Sequence, residues 1–267
     1  MKFQVHFLLV ASAAAPADVG AGVGAIRADA GDALHRAQAS VLPALADLPV
    51  KGHGVLIAPQ WVVTCAHSVA ASNPGYVTLG GVQRRVDSVV VHPGYRPLPK
   101  TMVDAAMVSG DASPVMAFLT ASDDIALLRL REPVAGIRPA TLYQGGSETA
   151  ETIVLLGKGA NGAAQQAAGA GARRTVMRQA RNVVTGVDDR WMVYRVDRPA
   201  IELPLDSTVE RAVSAPAAQD GQWKLAGLAA WRQVQGDMRR PGKFGDSGVS
   251  VRISRYAPWL RDVMAVH

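Results

Sequence analysis

Gly54-Val55-Leu56-Ile57-Ala58-Pro59-Gln60-Trp61-Val62-Val63-Thr64-Cys65-Ala66-His67 is the stretch on which the architecture turns. Two short apolar runs rich in Val, Leu and Ile are broken by Pro59-Gln60, which reads as strand, turn, strand, with His67 delivered at the end. Working outward, Tyr76 to Leu79, Arg85 to Val91, Ile125 to Leu130 and Thr152 to Leu156 continue the series. Val176 to Val184, Trp191 to Val196 and Trp223 to Trp231 extend it, each bounded by Pro, Gly or polar punctuation. Helical periodicity is scarce until Tyr256, Trp259, Leu260 and Val263, which share one face of a closing helix. Many short strands and one terminal helix predict an all-β barrel class.

The flanks bound the rest. Met1 to Ala13 gives a basic start, a short apolar run and an Ala-Ser-Ala site, the pattern of a cleaved signal peptide, so export is expected. The apolar run is too short to span a bilayer, and no later stretch approaches the roughly 18 apolar residues a membrane helix needs, so no stable membrane insertion is expected. Residues 14 to 35, rich in Ala, Gly and Asp, read as a leader or extended arm, and 159 to 172 as a flexible surface loop. With 267 residues, 49% apolar and 19% charged, the chain can bury a substantial core. Cys65 is the only cysteine, so no internal disulfide is possible, and in an apolar strand it reads as a small buried hydrophobe rather than a nucleophile. A bridge-free exported domain of this size suggests a secreted or periplasmic bacterial protein. The net charge of +6 comes from arginines scattered between Arg84 and Arg261, without a dense basic run. A solvated surface accounts for them, and no nucleic-acid partner is expected.

The stretch 54–67 resembles the segment around the catalytic histidine of the trypsin-like serine proteases. Cys65-Ala66-His67-Ser68 stands where that family usually has Ala-Ala-His-Cys, so its local disulfide is lost. Val91-His92-Pro93-Gly94-Tyr95 resembles the segment preceding the family's aspartate, and Asp123-Asp124-Ile125-Ala126-Leu127-Leu128-Arg129-Leu130 resembles the aspartate strand. The resemblance implies two antiparallel six-stranded β-barrels with a C-terminal helix, His67 as general base and a buried Asp124 holding the imidazole. Asp123 is expected to be the exposed neighbour, and residues 96–122 a lengthened connection, a lid or surface excursion. The implied layout is signal peptide and leader over 1–24 and one protease domain over 25–267. Its first barrel covers about 40–135, its second about 136–255, and the helix about 256–265.

The family's nucleophile signature, Gly-Asp-Ser-Gly, occurs once, at Gly245-Asp246-Ser247-Gly248. The resemblance then assigns Ser247 as nucleophile and Gly245 as an oxyanion-hole donor. Only 20 residues follow Ser247, however, and Gly221 to Trp231 already resembles the strand that comes after the nucleophile in this family. Read collinearly, Ser247 lies in the specificity-pocket wall, and the nucleophile loop falls at Arg211-Ala212-Val213-Ser214-Ala215-Pro216, where the shaping glycines are missing and Ser214 is the alternative nucleophile. The charged specificity position becomes Pro241 or Ser207, giving no basis for cleavage after Arg or Lys. Two functions stay open: a secreted serine endopeptidase, or a catalytically silent homologue whose cleft binds protein. In either case the expected partner is a protein or peptide, the chain a monomer, and no cofactor or metal is implied.

Overall fold

The computed structural model describes residues 7–11, 39–49, 52–145, 148–158, 177–195, 224–233 and 247–266. The first barrel is built from β2 (Leu45–Asp47), β3 (His53–Ala58), β4 (Trp61–Thr64), β5 (Tyr76–Leu79), β6 (Val82–Val91) and β7 (Ala126–Leu130). These close in the order β2-β3-β4-β7-β6-β5 through antiparallel pairs. The β3–β4 hairpin is the strand pair read from the sequence. Gly54 has no alternative there, because a Cβ would meet Val62 Cγ1 at 2.5 Å and the Val63 carbonyl oxygen at 2.8 Å. In β4 all four residues are buried, and in β7 every residue but Arg129. That explains their continuous apolar runs in place of alternation.

The second sheet combines β1 (Phe7–Ala11), β8 (Thr141–Leu142), β9 (Thr152–Lys158), β10 (Met177–Val187), β11 (Trp191–Arg195), β12 (Lys224–Gln233) and β13 (Ser247–Arg252). Six strands form a ring, β1-β9-β10-β11-β13-β12, closed by a β1–β12 pairing, and β8 attaches alongside β12. The apolar run of the N-terminal segment is thus a strand of this barrel, parallel to both neighbours. The fold is the expected all-β pair of barrels.

One core runs through both barrels, from Leu56, Val62, Leu127 and Leu128 to Leu156, Leu225, Leu228 and Val251. The terminal helix, α3 (Ile253–Val266), follows β13 directly, packs against β12 and β8, and buries Ile253, Tyr256, Ala257 and Leu260. Between β6 and β7, in the stretch 96–122 expected as a lid or surface excursion, the chain forms two helices, α1 (Lys100–Ser109) and α2 (Ser113–Thr120). Their own small cluster joins Val103, Ala106, Ala112 and Val115, while Met116 and Leu119 also touch the main core. The glycine-rich stretch 159–172 lies outside the described residues.

Candidate active site

His67 sits in a single 3-10 turn, Ala66–Ser68, immediately after β4. Asp124 precedes β7, and β4 pairs with β7 from Thr64↔Ala126 to Trp61↔Arg129, so the ladder brings the two residues together from 57 positions apart. The Asp124 carboxylate is used twice: Oδ1 accepts the His67 backbone N–H at 2.8 Å, and Oδ2 lies 2.6 Å from His67 Nδ1. The side chains are 18% and 9% exposed. With Nδ1 committed to Asp124, Nε2 is the ring nitrogen left to act as a base. Nε2 is buried and has no hydrogen-bond partner among the described residues.

The surroundings hold this pair. Cys65 is fully buried, and its Sγ lies 3.6 Å from the Ala229 carbonyl oxygen of β12, tying the histidine turn to the second barrel. Cys65, His67 and Asp124 offer donor atoms within 4.8 Å of one another. Within this set His67 Nδ1 is engaged by Asp124, and the thiol lies against the Ala229 carbonyl oxygen. The Tyr95 phenol is pushed above its ordinary range by burial, then by the charges of Asp124 and Cys65, so it stays protonated beside the site.

Ser247 opens β13, opposite Arg195 of β11 and Gln233 of β12, and is 7% exposed. It makes no hydrogen bond to His67 Nε2. Its strand runs straight into α3, the position that the collinear reading gives to the pocket wall. Gly245 and Ser214 lie outside the described residues, as do Pro241 and Ser207. The structure therefore brings His67 and Asp124 together, and does not bring Ser247 into bonding contact with them.

Asp123 corrects an expectation. It is not an exposed neighbour but 14% exposed, with its Oδ1 accepting from Tyr256 Oη at 2.7 Å and from Arg190 Nε at 2.9 Å. His92 Nδ1 lies 3.6 Å from Oδ2. The His-Pro-Gly-Tyr segment was the available signal, since it placed His92 near the aspartates, but Arg190 and Tyr256 carry no local mark of their role.

A profile of the trypsin-like peptidase domain matches residues 52–227, from the strand before His67 through the first part of β12. No curated protein matches the chain. With two barrels, a terminal helix and an imidazole–carboxylate pair at the expected positions, and a match over most of its length, the chain belongs to the trypsin-like serine peptidase family.

Proposed function

We propose that this chain is an exported, monomeric serine endopeptidase in which His67 is the general base and Asp124 orients it. One observation carries the reading: Asp124 engages both the backbone and Nδ1 of His67, leaving Nε2 as the uncommitted nitrogen. In this arrangement Nε2 removes the proton from a serine hydroxyl as its oxygen attacks the scissile carbonyl. Asp124 stabilises the imidazolium, which then protonates the leaving amine. Water, deprotonated by the same nitrogen, releases the acyl group. The nucleophile is Ser214, in the stretch before β12, or Ser247 after a shift of the β13 entry.

A second reading is favoured by the lack of any bond between Ser247 and Nε2. It is a silent homologue whose cleft binds protein or peptide. Fluorophosphonate labelling of the exported chain, followed by peptide mapping, separates the two. Modification at Ser214 or Ser247 that disappears in His67→Ala supports the endopeptidase; an unlabelled, folded wild type supports the binding protein. The same sample tests export, because its N-terminus should begin after about residue 13, and retained Met1 would refute cleavage. Such processing takes β1 out of the second barrel and frees the edges of β9 and β12 that it covers.

A further inference from the structure

Asp124 is the central residue of a tight turn, because the Ile125 N–H donates back to the Asp123 carbonyl at 2.9 Å. The aim of the Asp124 carboxylate therefore follows the orientation of residues 123–125. Two backbone bonds hold that turn to the end of β6: Asp123 N–H to Gly94 O at 3.2 Å, and His92 N–H to Ile125 O at 3.0 Å. A further anchor is the Asp123 side chain. It ties the turn to α3 through Tyr256 and to the β10–β11 connection through Arg190.

The anchor is tightly built. Gly94 leaves room for it, since a Cβ there would collide with Asp123 Oδ2. His92 packs edge-on against Tyr256 and Trp259, with ring centroids 5.4 and 4.9 Å away. Arg190 is fixed in turn by the Asp188 carboxylate, whose Oδ1 accepts the Arg190 N–H at 2.8 Å and the Trp191 N–H at 2.7 Å. Burial opposes a charge on Asp123, but the bonds from Tyr256 and Arg190 outweigh it and hold the carboxyl below its ordinary range.

We propose that Asp123 is a positioning residue for the general-base pair, fixing the 123–125 turn from the second barrel and the terminal helix so that Asp124 meets His67. This rests on reading His67 and Asp124 as that pair. A merely structural ion pair would alter stability and leave the His67–Asp124 contact unchanged. The discriminating readout is the downfield proton resonance of the hydrogen bond between His67 Nδ1 and Asp124, which needs neither substrate nor nucleophile.

In the full-length chain, Asp123→Ala should lose or displace that resonance. Asp123→Asn, which keeps an oxygen for Tyr256 and Arg190, should restore it. Tyr256→Phe removes one hydroxyl and should give an intermediate displacement even if Asp123→Ala fails to fold. Fluorophosphonate labelling should slow about 10- to 100-fold in Asp123→Ala, the scale of a misplaced catalytic group. A chain that loses the resonance in Asp123→Ala but never takes the label keeps the positioning role and sinks the endopeptidase reading. Wild-type resonance in a folded Asp123→Ala, or in Tyr256→Phe, overturns the positioning role whatever the label does.

Discussion

Glu148 has no exposed side-chain surface, yet it carries a carboxylate into the second barrel. Arg252 Nε donates to both of its oxygens at 3.0 Å, Arg252 Nη2 lies 2.9 Å from Oε2, and Ser254 Oγ donates to Oε1 at 2.8 Å. The pair thereby links the end of β13 and the first turn of α3 to residue 148. Removing one member of such a pair strands the other away from water, which costs more than the pair contributes by being there. Glu148→Ala should therefore destabilise the fold by about 3–5 kcal/mol in denaturant titration, and a loss under about 1 kcal/mol would show that Arg252 is rehydrated easily. Nothing in the local sequence marks Glu148, because its partners stand over 100 positions away. His67 and Asp124 were legible for the opposite reason: each lies in a long motif whose strands pair directly. Asp123 was misread because the residues that bury it, Arg190 and Tyr256, come from other elements.

Among elements, the strands were read best. Trp61–Thr64 and Tyr76–Leu79 agree at both ends, and the runs at Thr152 and Trp191 agree at their starts. Short β-branched runs between Pro, Gly and polar residues leave little ambiguity when both faces are covered. The α1–α2 hairpin was missed because its apolar residues are mostly Ala, Met and Val and only Val103, Ala106 and Val115 within the two helices are buried, too few to set a clear period. Two punctuation signals were present: Gly110, which ends α1 in the left-handed conformation, and Pro114 in the first turn of α2. The hairpin's cluster is small and lies at the edge of the main core, so it should open as a local unit. Val115 is fully buried in it. Val115→Asp should abolish amide-exchange protection across 100–120 while leaving β4, β7 and β9 protected. Uniform loss of protection in all of these would mean that the hairpin and barrels fold as one unit.

At the scale of the whole molecule, the barrels and α3 meet around His92 and Asp123, and the protonation of these two residues contributes to the acid stability. His92 takes up a proton less readily in the folded state than in the open chain. Burial is the largest cause, Arg255 and Arg190 add to it, and Asp123 opposes it. As pH falls from the ordinary value of 6.5 toward the folded one, the unfolded chain binds the proton first and stability is lost. Asp123 acts in the same direction at lower pH. Its folded carboxyl stays ionised below the ordinary 3.8, so its contribution is complete above that value and disappears as pH drops through the folded value. The melting temperature should therefore fall in two stages, first below about pH 6.5 and again below about pH 4. His92→Gln removes the first titrating group while keeping a polar side chain, so it should flatten the upper stage and leave the lower one. Asp123→Asn should flatten the lower stage and deepen the upper one, because it removes the charge that opposes the His92 shift. A wild-type melting temperature that is constant between pH 7 and pH 5, or an upper stage that persists undiminished in His92→Gln, would show that His92 is not the group whose protonation opposes the packing of α3 against the first barrel.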